Sequence, residues 1–187
     1  MIKWVRAPRS AATLNGYRPA VVPARAAAAS PDCSDFGSQD YGDQILTMLR
    51  SCGAHLVGNA YLNLVEREKV EADAIGGLVI GADPICVAVA YASYLRGGSM
   101  EAFLVRKEAK KHGMMRLIEG NVKRGDKVIV VDDVCTTGGS TQQAIDACLA
   151  EGLEIAAVMP LVDREEGGAQ IFGRYRFLPL FRASEFL

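Results

Sequence analysis

The stretch Val128-Ile129-Val130-Val131-Asp132-Asp133-Val134-Cys135-Thr136-Thr137-Gly138-Gly139-Ser140-Thr141 decides the fold. Its front, begun by Lys127 and running to Val131, is the continuous apolar run that a parallel strand buried on both faces requires. Two carboxylates follow at the strand's carboxyl end, and a run of small and hydroxylated residues then leads into a helix expected over 140–151. That helix is expected to bury Ala144, Ile145, Cys148 and Leu149, and Gly152 stands where a left-handed cap is favoured. Because Thr136 to Ser140 lack bulk, several backbone N–H groups can converge on one anion, helped by hydroxyls and the helix dipole. The arrangement suits a phosphate monoester. Asp132 and Asp133 lie where an attached sugar would fall, able to accept hydrogen bonds from vicinal hydroxyls or from magnesium-bound water. A plain helix cap seldom needs two acids, two threonines and two glycines together. The loop has no GxxxxGK[ST] and no GxGxxG, which disfavours triphosphate and dinucleotide sites.

Outward from this strand, short apolar runs alternate with helical periods, the mark of an α/β chain. Val57, Ala60, Tyr61, Leu64 and Val65 recur at helical spacing, which predicts a helix over 55–68. A strand is expected over 74–79, and the turn Gly81-Ala82-Asp83-Pro84 opens a helix through Leu95, with Asp83 as N-cap and Pro84 at the first position. Further strands are expected at 102–105, 155–162 and 177–181. Parallel strands joined by right-handed helical crossovers make a doubly wound, mostly parallel sheet flanked by helices, with ligands beyond the carboxyl ends of the strands.

The chain has 187 residues, half of them apolar, and 21 basic residues stand against 22 acidic ones. One globular domain fits this length. A formal charge of −1 gives no overall field to hold nucleic acid or an anionic membrane, so any bound anion needs a local cluster. No apolar run approaches the roughly 18 residues of a membrane span. The five cysteines, Cys33, Cys52, Cys86, Cys135 and Cys148, show neither zinc nor disulfide-framework spacing and suit a reducing cytoplasm. Residues 1–31 differ in composition: five basic residues, four prolines, the run Ala26–Ala29 and no acid. We read 1–40 as an atypical, unstructured or divergent segment, with a targeting peptide the weaker reading for want of an amphipathic period, and 41–187 as the functional domain.

A second cluster supplies positive charge. Arg106, Lys107, Lys110, Lys111 and His112 lie between the strand at 102–105 and Gly113. Alone, such a run is usually a solvated loop. Beside a phosphate cradle it reads as a mobile basic flap closing over a polyanion.

The strand, double acid and TTGGS loop resemble the 5-phosphoribosyl 1-pyrophosphate (PRPP) signature of type I phosphoribosyltransferases. The segment Phe103 to Gly113, followed by Ile118-Glu119-Gly120, is similar to the hood loop of the orotate phosphoribosyltransferases, and Asp163-Arg164-Glu165-Glu166-Gly167-Gly168 adds a third match. The resemblance runs from about His55 onward. It implies the type I phosphoribosyltransferase fold with a mobile hood, and transfer of the phosphoribosyl group from PRPP to orotate, giving orotidine 5′-phosphate and pyrophosphate. Thr136, Thr137, Gly138, Gly139 and Ser140 would hold the 5′-phosphate, with Val134 and Cys135 leading into them. Asp132 and Asp133 would bind the ribose hydroxyls. Arg106, Lys107, Lys110 and His112 would contact pyrophosphate, with Lys110 the main catalytic cation beside the two aspartates. Thr136 and Arg164 match positions that contact orotate. Magnesium would arrive on PRPP with its own water, without a protein-only cage, and the hood would be shared across a homodimer. Two features depart from the family's pattern: Phe36 to Asp43 only distantly echoes its Ser-Gly-x-x-Ser-x-x-Tyr segment, and Ile80 stands near where many members carry lysine. The alternatives are a phosphoribosyltransferase for another base and a non-catalytic PRPP-binding regulator.

Overall fold

In the computed structural model, residues 48–108 and 117–186 are described. The expected boundary at 40/41, the Phe36–Asp43 segment, Lys110, Lys111 and His112 lie outside the described residues. The main sheet has five strands in the order β3-β2-β1-β4-β6. These are β1 (Ala74–Leu78), β2 (Glu101–Val105), β3 (Ile118–Gly120), β4 (Lys127–Val130) and β6 (Glu154–Val158). All pairings are parallel except β2 with β3. A small parallel sheet, β5-β7-β8, comprises β5 (Val134–Cys135), β7 (Val162–Asp163) and β8 (Phe181–Arg182). The mostly parallel, helix-flanked sheet agrees with the fold class expected.

The apolar run of β4 is buried because it feeds two cores. Ile129 and Val131 point to one, with Tyr61, Ile75, Val89 and Met159. Val128 and Val130 point to the other, with Phe103, Ile145, Cys148 and Phe172. Strand side chains alternate between faces, so a strand covered on both sides reads as an unbroken apolar run. The first core carries α1 (Ser51–Arg67) and α2 (Asp83–Leu95); the second carries α3 (Gly139–Ala150).

Several boundaries differ from expectation, each for a local reason. The expected strand over 155–162 is two strands, β6 and β7, because Pro160 lies between them and has no N–H to give a ladder. The chain stays alongside β4 nevertheless: the N–H groups of Met159 and Leu161 donate to the carbonyls of Val130 and Asp132, both at 2.8 Å. Pro179 similarly reduces the strand expected over 177–181 to an isolated bridge at Phe177 and the pair Phe181–Arg182. Asp83 is the first helical residue and makes no cap hydrogen bond, since Ala82 is already in the right-handed helical region. α1 begins four residues ahead of the expected His55. α3 begins at Gly139, capped by Gly138 with φ +82°, and Gly152 does take the left-handed conformation at its end, with φ +78°.

Candidate active site

β1, β2 and β4 run parallel, so their carboxyl ends open on one edge of the sheet, where three loops meet. β4 delivers Asp132 and Asp133 there. Asp132 is buried at 5% exposure, and its Oδ2 accepts the Ser140 hydroxyl at 2.5 Å and the Thr141 hydroxyl at 3.0 Å. Its Oδ1 accepts the Asp133 N–H at 3.1 Å. Asp133 is half-buried, and its Oδ1 accepts the Val134 N–H at 2.9 Å. The acidic pair therefore divides its work: Asp132 ties β4 to the start of α3, while Asp133 sits nearer the open edge.

The loop from Thr136 to Ser140 turns at Gly138, where only glycine serves: φ is +82°, and a Cβ would stand 2.7 Å from the Phe172 ring. The N–H groups of the first turn of α3 follow directly and are donors without intrahelical acceptors. Ser140 already gives its single O–H to Asp132, so its hydroxyl can donate to a phosphate only by turning away from that carboxylate.

The turn after β1 closes a second side. A Cβ on Gly81 would stand 2.5 Å from Asp133 Oδ1 and 3.0 Å from Asp132 Oδ1, so the bare backbone of this turn lies against the acidic pair. Ile80, beside it, is 68% exposed. The root of the basic segment closes the third side. Gln143 of α3 donates to the Lys107 carbonyl at 3.3 Å, which sets the start of that segment beside the helix leaving the small-residue loop. Arg106 pairs with Glu119 of β3 through Nε at 3.0 Å. That half-exposed pair costs little to exchange for an incoming anion.

Arg164 leaves β7 on the same side of the molecule. Its N–H donates to the Cys135 carbonyl at 2.9 Å, and the Gly168 N–H donates to the Thr136 carbonyl at 3.0 Å. These bonds hold the Arg164 loop against Thr136. The Arg164 side chain, half-exposed, pairs with Glu166 at 3.0 Å.

Burial pushes the Asp132 carboxyl up to about 6; the Ser140 and Thr141 hydroxyls pull against this and the Asp133 charge adds to it. The native state thus holds this proton more tightly than the unfolded chain. Asp132's contribution to stability falls as pH rises from about 4 to about 6 and is level above. Holding the Ser140 and Thr141 hydroxyls, and with them the start of α3, asks for the opposite form, the carboxylate. Activity at low substrate should therefore decline as pH falls through about 6, and Thr141→Val, which removes a hydrogen bond to the carboxylate, should move that limb upward. An acid limb unmoved by Thr141→Val would assign the titration to another group.

Cys135, the last residue of β5, is buried, and burial raises its thiol to about 11, which disfavours the thiolate a nucleophile needs. Among the described residues no group of three His, Cys, Asp or Glu side chains could hold a metal ion. Sequence reading missed Thr141 and Tyr61, whose buried hydroxyl donates to the Met159 carbonyl at 3.0 Å beneath the acidic pair. Thr141 had one available signal, its place one residue beyond the small-residue run at the start of a helix.

No family model matches the chain. It is 44% identical over 137 residues to the orotate phosphoribosyltransferase of Aquifex aeolicus, covering 72% of this chain and 74% of that protein. Over 147 residues it is 41% identical to the orotate phosphoribosyltransferase of Rhodopseudomonas palustris, covering 75% and 78%. Among solved structures, it superposes on Mycobacterium tuberculosis orotate phosphoribosyltransferase in complex with PRPP with a TM-score of 0.68 and 31% identity, over 78% of this chain and 82% of that one.

Proposed function

Since the chain belongs to the orotate phosphoribosyltransferase family, we propose that the carboxyl edge of its sheet is where phosphoribosyl transfer from PRPP to orotate takes place. The observation that carries this reading is the meeting of the acidic pair, the Gly138 turn, the Gly81 turn and the root of the basic segment at one edge. The 5′-phosphate is received by the N–H groups of Thr136 to Ser140, and Asp133, with Asp132 behind it, accepts the ribose hydroxyls. Arg106, Lys107, Lys110 and His112 meet pyrophosphate. Arg164 pairs with the orotate carboxylate or ring oxygens, next to Thr136.

The reaction breaks the bond from the anomeric carbon to pyrophosphate and forms one to the pyrimidine nitrogen, which loses its proton. Positive charge grows on the ribose as the old bond loosens. The protein contributes fixed charges and hydrogen bonds to the leaving group and the sugar, and excludes the water that would hydrolyse it. Magnesium would be carried on the substrate's own oxygens, and the edge, with Asp133 half-buried beside it, offers the hard oxygen acceptors that suit such an ion. Bound on PRPP, the ion supplies charge neutralisation for the departing pyrophosphate.

The test is consumption of orotate with PRPP and magnesium, run beside uracil and adenine. Orotate alone should be turned over. Turnover of adenine instead would favour a purine enzyme, and PRPP binding without turnover of any base would favour a regulator.

A homodimer with shared sites is part of the same proposal. Val87, Tyr91, Tyr94 and Leu95 on α2 are all more than half exposed, an apolar face suited to a second copy. Mixing Lys110→Ala with Asp133→Asn protomers should restore about one quarter of wild-type activity, since random pairing makes half the dimers hybrid and each hybrid holds one intact site. No recovery would mean that each site is built from one chain. The same reading puts the enzyme in the cytoplasm. Among the described residues no helix is long and apolar enough to cross a membrane.

A further inference from the structure

The last strand of the chain brings a cation to a carboxylate that is sealed from water. Asp163, at the end of β7, is 1% exposed. Its Oδ1 accepts the Glu165 N–H at 2.9 Å, while its Oδ2 accepts no hydrogen bond and faces Arg182 Nη1 at 3.5 Å. Register makes the meeting obligatory, because Cys135, Asp163 and Arg182 are successive neighbours across β5, β7 and β8. A second tie lies beyond the first: Glu165, in the left-handed region with φ +60°, accepts the Ser184 N–H on Oε2 at 2.8 Å. The loop 163–167 is therefore gripped by residues 182–184 on both sides of Arg164.

We propose that Arg182 is a positioning residue for the acceptor base: by neutralising the buried Asp163 carboxylate it holds loop 163–167, and with it Arg164, in the geometry that receives the anionic pyrimidine. The proposal rests on the reading of Arg164 as an orotate contact. Its physical basis is the penalty for a buried charge that has lost its partner. Without Arg182, the carboxylate loses the cation that faces it and must reach water, and the short β7 ladder lets the loop move to relieve it. The phosphate cradle is held separately, by Asp132 and α3, so PRPP binding is not asked to change.

Arg182→Ala should raise KM for orotate by roughly tenfold, the scale on which a supporting residue acts, with KM for PRPP held. Arg182→Lys should restore most of the loss, because the contact is an ion pair without a hydrogen bond and needs charge rather than a forked donor. Asp163→Asn combined with Arg182→Ala leaves no unpaired buried charge and should return KM for orotate toward the wild-type value. That double variant also serves if Arg182→Ala alone fails to fold. Arg164→Ala is measured alongside. If it raises KM for orotate and Arg182→Ala does not, the proposal is wrong. If the double variant stays as impaired as Arg164→Ala, Arg182 touches the base itself and the positioning role is overturned. If Arg164→Ala leaves KM for orotate unchanged, the reading of Arg164 fails and the proposal fails with it.

Discussion

Asp133→Asn is expected to lower kcat/KM for PRPP by roughly 10- to 150-fold, the worth of one charge-assisted hydrogen bond of about 1.5–3 kcal/mol. Thermal stability should be little changed, because asparagine is isosteric and its amide oxygen can still accept the Val134 N–H that Asp133 Oδ1 accepts at 2.9 Å. Asp132→Asn is the instructive contrast. Its Oδ2 takes two hydroxyls and its Oδ1 takes an N–H, so an amide there turns one acceptor into a donor facing a donor, inside a buried site. Stability and activity should fall together in that variant. Parallel steady-state kinetics and melting curves on both variants separate the roles, and an equal loss of stability in the two would deny Asp133 its place on the sugar.

Lys110→Ala should cost roughly 10²–10³-fold in kcat, the usual effect of deleting one charge-stabilising donor in a water-excluded site. Binding of ribose 5-phosphate should be unchanged, since that ligand has no pyrophosphate for the hood to meet. Lys110 lies outside the described residues, but the root of its segment is anchored at Lys107 by Gln143 and at Arg106 by Glu119. A full kcat in Lys110→Ala, measured with saturating PRPP, would pass the role to another cation of the segment.

How much of this was legible in the sequence follows from the range of the interactions. The 128–141 stretch could be read because everything it says is local: a two-faced apolar strand, adjacent acids, a run of small residues and a helix start are decided within a few residues. The interruption of β6 and β7 was equally local, and Pro160 should have told it. The division of labour between Asp132 and Asp133 was not legible as spacing alone, because it depends on which carboxylate the helix hydroxyls reach after α3 packs on the sheet. The closeness of Gly81 to the acidic pair joins residues some fifty apart through the β1–β4 pairing. Arg182 was out of reach for the same reason: only the register of β7 and β8 reveals that an arginine near the end of the chain faces a buried carboxylate.

The central claim is that residues 136–140 cradle the 5′-phosphate while Asp133 holds the ribose. A crystal structure with PRPP and magnesium tests it directly. The 5′-phosphate oxygens should lie within hydrogen-bonding distance, about 2.7–3.2 Å, of backbone N–H groups between Thr136 and Ser140, with a ribose hydroxyl on Asp133. A 5′-phosphate bound elsewhere, with the 136–140 loop vacant, would contradict the account.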